Sequence, residues 1–225
     1  PGMGDDLPRL DGPRLAPASG RAARLLVVLC HGVGADGRDL AALAEEIAPL
    51  LPEAAFACPD APEPFAFAPF GRQWFPLADL APARLEAGVR RAAPVLARFV
   101  AEEAARWGLG ADRVVLGGFS QGAMTALFAG LGMTPAPAAV AAFSGALPVL
   151  PQRPVGPPRP PVLLVHGADD PVVPVALSQA AERVLRGAGV RVTALWRPGL
   201  GHGIDAAGVT ALVELCRRAS GASPP

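Results

Sequence analysis

The chain has 225 residues, 20 basic against 20 acidic side chains, and 51% hydrophobic residues. Every basic residue is arginine, and there is no lysine, tyrosine or asparagine. This excludes a lysine Schiff base, a P-loop lysine and a tyrosine general acid, and zero net charge leaves no electrostatic footprint for nucleic acid or an anionic membrane.

The length predicts a single domain over residues 1–225, with a partly irregular segment over residues 1–20. No apolar run approaches the roughly 18 residues of a membrane span, so stable membrane insertion is not expected. Residues 1–20 also lack the apolar core of a signal peptide. Cys30, Cys58 and Cys216 are odd in number and widely spaced. They fit neither a disulfide framework nor a zinc pattern, and read as packed thiols in a reducing, cytoplasmic setting.

In chain order, Arg24–Cys30 is a nearly continuous apolar run, as expected of a strand buried on both faces. Leu40, Leu43, Ile47 and Leu50 then recur at helical spacing. Ala54–Cys58 predicts a second strand. The Pro- and Phe-rich loop from Asp60 to Pro76 is longer than a passive connection requires. A long helical pattern follows through Leu85, Val89, Leu96, Phe99, Val100 and Trp107, with Pro94 expected to kink it and Gly108 to end it. Arg113–Gly117 is a third strand, followed by a helix carrying Met124, Leu127, Phe128 and Leu131. Ala138–Phe143 is a fourth strand, and Leu147 to Pro161 a proline-dense connector. Val162–Val165, a helix with Leu177, Ala181, Val184 and Leu185, Val190–Trp196, and a last helix N-capped by Asp205 complete the pattern. Strands alternating with helices predict an α/β fold, a mostly parallel central sheet with helices on both faces. Ligands bind such sheets beyond the carboxyl ends of the strands.

The residues after the strands carry the chemistry. The third strand runs into Gly118-Phe119-Ser120-Gln121-Gly122, a G-x-S-x-G elbow between strand and helix. Such a turn strains the serine and brings the flanking positions 118 and 122 against neighbouring backbone, hence the glycines. A serine hydroxyl needs a base, and in this fold acid and histidine follow the serine in that order. His202 is the only histidine that follows both Ser120 and the aspartates after the fifth strand. Of those, Asp170, before Pro171, is the favoured acid, while Asp169 could brace the turn. An oxyanion hole needs two backbone N–H groups: Gln121 after the nucleophile, and Val33 in the glycine-bearing loop His31–Gly37. That loop has neither the lysine nor the spacing of a phosphate cradle. His31 and His166 read as architectural histidines at strand ends.

With these motifs the chain resembles the phospholipase/carboxylesterase family of α/β-hydrolases, which includes the acyl-protein thioesterases, from about Arg14 to Cys216. The resemblance rests on His31–Gly37, Trp74-Phe75, Gly118–Gly122, His166–Pro174 and Gly201-His202-Gly203. It implies a Ser120–His202–Asp170 triad, oxyanion donors at Val33 and Gln121, and hydrolysis of a small-molecule ester without metal or cofactor, often by a homodimer. Trp74, Phe75 and Leu147 are the candidate pocket residues. The aromatic loop can be read either as anchoring itself to the core or as lining an acyl or alcohol pocket. Two departures, Pro76 after Phe75 and alanine in Ser144-Gly145-Ala146-Leu147 where acyl-protein thioesterases carry tryptophan, point from protein-palmitate cleavage toward small esters. The expectation is therefore a serine carboxylesterase. Alternatives are an acyl-thioesterase or lysophospholipase on the same triad, or an inactive hydrolase-fold binding module.

Overall fold

The computed structural model describes residues 6–153 and 158–221. The strands are β1 (Arg14–Leu15), β2 (Leu25–Cys30), β3 (Ala54–Ala57), β4 (Glu63–Pro64), β5 (Arg72–Gln73), β6 (Val114–Phe119), β7 (Ala139–Phe143), β8 (Val162–Gly167) and β9 (Val192–Arg197). Seven of them form one sheet in the order β1-β3-β2-β6-β7-β8-β9, parallel throughout except where β1 pairs antiparallel with β3. β4 and β5 make a separate antiparallel pair.

The alternation of side chains along β2 explains the layers. Leu26, Val28 and Cys30 pack on one face with residues of α2 (Pro82–Arg106) and α3 (Gln121–Gly132). Leu25, Val27 and Leu29 pack on the other with α1 (Gly37–Ile47) and α5 (Ala206–Ala219). All six β2 residues are buried, as a strand covered on both faces requires. α4 (Val175–Gly187) packs Ala181 and Leu185 beside α3. The three cysteines are buried, unlinked thiols; burial pushes those of Cys58 and Cys216 up to about 12. Among the described residues no helix is long and apolar enough to cross a membrane.

Several expectations shift in detail. α1 stops at Ile47 because Pro49 cannot donate the next helical hydrogen bond, so Leu50, expected on the buried face, is 50% exposed. α2 runs unbroken through Pro94. Gly108 follows it at φ 69°, while Leu109 N–H donates back to Ala104 O at 2.8 Å, a left-handed helix end. Asp205 does cap α5, accepting from Gly208 N–H at 3.0 Å. β1 and the β4–β5 pair leave no trace in the sequence pattern, since two residues carry no periodicity. Residues 154–157 of the proline-dense connector lie outside the described residues.

α2 packs Gly88 against the buried ring of Phe75, where an added Cβ would lie 2.2–2.6 Å from ring carbons. Gly88→Ala is therefore expected to destabilise by about 1–3 kcal/mol through overpacking, despite alanine's better helix propensity. Gly187→Ala, at a position with open space around it, should instead stabilise by about 0.4–1 kcal/mol. Denaturant titration of the two variants checks the contrast.

Candidate active site

β6 ends at Phe119 and α3 begins at Gln121, leaving Ser120 alone between them at φ 55°, ψ −120°. This is a strained conformation for a residue with a Cβ. It is held by the Ser120 N–H bond to Phe143 O at 2.8 Å, and by Ser120 O accepting from Met124 N–H at 3.0 Å as α3 starts. The elbow packs tightly. A Cβ on Gly122 would overlap the carbonyl oxygens of Cys30 and His31, and one on Gly118 would lie 2.5 Å from Gly122 backbone atoms. The two glycines thus let α3 start directly against the end of β2.

Ser120 Oγ lies 3.1 Å from His202 Nε2, and His202 Nδ1 lies 2.7 Å from Asp170 Oδ2. An ionised carboxylate only accepts, so the Nδ1 proton faces Asp170 and Nε2 is left to accept from the serine. Asp170 Oδ1 accepts from Val172 and Val173 N–H at 2.8 and 2.9 Å. Burial alone would raise this carboxyl, but the bonds from His202, Val173 and Val172 outweigh it and hold its pKa below the ordinary value. The two aspartates considered from sequence separate cleanly. Asp170 meets the imidazole, while Asp169 Oδ2 accepts from Gly199 N–H at 2.7 Å and ties the acid's turn to the loop carrying His202.

The other two histidines are buried supports. His31 Nδ1–H donates to Gly32 O at 2.7 Å, and its Nε2 accepts from Ala61 N–H at 2.9 Å. A carbonyl can only accept and an amide N–H only donate, so these partners fix a neutral ring with one tautomer. Burial lowers its pKa. Because Gly32 O is taken up by His31, the trans peptide turns Val33 N–H to the opposite side. Gly32 itself sits against Phe119 and the Ser120 Cβ. His166 Nε2–H donates to Val173 O at 2.7 Å and lies 3.3 Å from Asp170 Oδ2, with Ser178 Oγ 2.6 Å from Nδ1. Burial lowers its pKa as well. This ring thus braces the turn on which Asp170 sits.

The aromatic loop divides. Trp74 and Phe75, expected at a pocket wall, are 1% and 0% exposed and belong to the core. The reason is a set of bonds that sequence reasoning missed. Trp74 Nε1–H donates to His31 O at 2.9 Å, Trp74 N–H donates to Gln121 Oε1 at 2.7 Å, and Gln121 Nε2–H donates to Phe75 O at 2.7 Å. The indole and the Gln121 amide therefore tie both candidate oxyanion donors to one segment. A signal existed in the pairing of Gln121 with Trp74, but only contact over 47 positions reveals it. β5 adds to this, since Arg72 exchanges backbone bonds with Gly34 and Ala35, and Gly34 adopts φ 83°. Phe67 and Phe70, by contrast, are 89% and 80% exposed. Leu147 is half-buried beside the cluster formed by Ala123 and Leu127. Among the described residues no group of three or more His, Cys, Asp or Glu side chains could hold a metal ion.

As the first residue of α3, Gln121 has no helical carbonyl for its N–H, and the helix start is electropositive. The arrangement offers a hydroxyl, an acceptor imidazole, a fixed carboxylate and free amides at the carboxyl ends of the strands. Comparison with known proteins gives the family. The model of the phospholipase/carboxylesterase family matches residues 15–218. The esterase YpfH of Escherichia coli strain K12 is 32% identical over 185 residues, spanning 82% of this chain and 78% of that protein. The crystal structure of esterase PE8 superposes with a TM-score of 0.84 at 39% identity, covering 93% of this chain and 99% of the other. Zea mays acyl-protein thioesterase 2 superposes with a TM-score of 0.73 at 27% identity, covering 92% and 98%. The chain belongs to the phospholipase/carboxylesterase family and is a carboxylic ester hydrolase of the α/β-hydrolase fold.

Proposed function

We propose that the chain hydrolyses small carboxylic esters through an acyl-serine intermediate, with Ser120 as nucleophile, His202 as base and acid, and Asp170 as the group that orients the imidazole. The observation that carries this reading is the unbroken run from Ser120 Oγ to His202 Nε2 (3.1 Å) and from His202 Nδ1 to Asp170 Oδ2 (2.7 Å). Ser120 Oγ attacks the ester carbonyl carbon as its proton passes to His202 Nε2. The carbonyl oxygen takes the negative charge and is held by the Val33 and Gln121 N–H groups. The carbon–oxygen bond to the alcohol then breaks, and the alcohol oxygen leaves with the proton from His202. Water gives a proton to the same nitrogen and attacks the acyl carbon; the bond to Ser120 Oγ then breaks and His202 returns that proton to Oγ, releasing the acid.

Ester preference over long-chain protein thioesters is supported by Ala146, buried in the core where acyl-protein thioesterases carry tryptophan. The likeness to the maize thioesterase favours thioester cleavage as a second reading. Matched oxygen-ester and thioester substrates, each from acetyl to palmitoyl, decide between them.

Ser120→Ala is expected to lower p-nitrophenyl ester hydrolysis by at least about 10³-fold and to abolish fluorophosphonate labelling while the protein still folds. Full labelling of that variant would overturn the assignment. Trp74→Phe keeps the ring bulk but removes the bond to His31 O. Since this support acts on donors used chiefly in the transition state, kcat should fall by about tenfold with KM nearly unchanged. Acid stability follows from the neutral histidines. His31 and His166 have pKa values lowered from 6.5, so below that pH the unfolded chain binds more protons than the folded one, and stability falls as pH falls. Denaturant melts between about pH 7 and 5 should show this slope, and His31→Gln should flatten it.

A further inference from the structure

A cavity of about 380 Å³ opens between α1 and the start of α5, beside the candidate site. It falls within the range of about 300–1,000 Å³ usual for small-molecule sites. A larger cavity of about 830 Å³ lies at the opposite end of the sheet, around Ala138, Pro161 and Arg191 at the amino ends of β7, β8 and β9, away from Ser120. The smaller one borders the candidate site, lined by Phe119 and Gly203, the residues next to Ser120 and His202 in sequence. Its apolar wall includes Leu43, Phe119, Ile204 and Val209. The Phe119 ring lies 4.7 Å from the His202 ring, and its Cδ1 is the nearest side-chain atom to a Cβ added at Gly32 in the oxyanion loop. Gly203 and Ile204, the two residues after His202, close the cavity on the α5 side.

We infer that this cavity receives the alcohol portion of the ester, and that the alcohol it suits is uncharged and a few carbons long; the inference rests on the serine-esterase reading above. The direction comes from the proton. His202 Nε2 takes the proton of Ser120 and must hand it to the departing oxygen, so that oxygen lies on the His202 side of the nucleophile. A substituent on that oxygen is then directed past His202 toward the Phe119 ring packed against it, and Phe119 and Gly203 line the near side of this cavity. The acyl carbon stays bonded to Ser120 and its chain extends elsewhere.

The charge preference comes from the lining. Its ionisable side chains, Asp39, Glu46 and Asp205, are all acidic, and Asp205 is already paired with Arg197 at 2.8 Å. The helix starts that flank the cavity would attract an anion. Asp36 caps α1 and Asp39 lies in its first turn, while Asp205 caps α5, so carboxylates already occupy those positions. An anionic alcohol would meet Asp39 and Glu46 with no basic side chain among the lining residues to offset them.

The test uses the full chain and two series of substrates. In the first, acetate esters vary only in the alcohol: methanol, butanol and 3-hydroxypropanesulfonate. In the second, methyl esters vary only in the acyl group, from acetate to hexanoate. The expected order of kcat/KM in the first series is butyl, then methyl, then the sulfonate. Leu43→Trp, which fills the cavity, should lower the butyl-to-methyl ratio by about tenfold, the scale of a lost hydrophobic subsite, without moving the hexanoate-to-acetate ratio. Glu46→Arg should raise the sulfonate relative to butyl; Glu46 is exposed, so this arm is independent of any folding defect in Leu43→Trp. A shift in the acyl ratio instead, or hydrolysis with every ratio unmoved in both variants, overturns the alcohol assignment while Ser120 chemistry stands. Absence of hydrolysis together with absence of fluorophosphonate labelling at Ser120 overturns the esterase reading and this inference with it.

Discussion

The close approach of the elbow to the end of β2 is the constraint on which the site depends. Gly122 lies so near the Cys30 and His31 carbonyls that no side chain fits between them. That proximity brings the start of α3, the strained Ser120 and the candidate oxyanion loop His31–Gly37 into one small volume. It also buries the elbow, whose polar groups must then find partners within the protein. The Ser120 N–H reaches β7, and the Gln121 amide spans to the backbone of Trp74 and Phe75. The aromatic segment is thereby drawn under the site as a support at Trp74 and Phe75, which explains why those two are buried while Phe67 and Phe70 remain exposed.

Three histidines share one chain, and their partners divide the work. Carbonyl and amide partners hold His31 neutral and use it to orient the Gly32–Val33 peptide. His166 is bonded to Val173 O and Ser178 and steadies the turn of Asp170. His166 and His202 both lie between a hydroxyl and Asp170, but His166 is fully buried and spends its Nε2–H on Val173 O, whereas His202 is partly exposed and its Nε2 faces Ser120 Oγ. A proton taken up by His31 would face the Ala61 N–H donor. The chemistry of the partners and the exposure of the ring, not the residue type, separate a support from a candidate base.

Most of the sheet was legible because a parallel strand covered on both faces must be apolar along its length, as β2 and β8 are. The elbow was legible because glycine on both sides of a serine, between strand and helix, answers a backbone demand that few other sequences satisfy. Short pairings such as β1 and β4–β5 were not, because two residues have no period to read. Leu50 sits in register with the apolar face of α1, yet the helix ends a turn earlier because Pro49 cannot donate the next helical hydrogen bond.

The sequence by itself determined the alternation of strands and helices, the order of Ser120, Asp170 and His202, and the restricted set of side chains from which a site could be built. Each of these depends on local spacing or on the presence of a residue type, and both are properties of the linear chain. Only the tertiary structure decided which of Asp169 and Asp170 meets the imidazole, that Trp74 and Phe75 support the site from within the core, and that a cavity opens on the His202 side. Those outcomes turn on ångström-scale contacts between segments far apart in sequence, where a hydrogen bond or a ring in the core selects among arrangements that local pattern leaves equal.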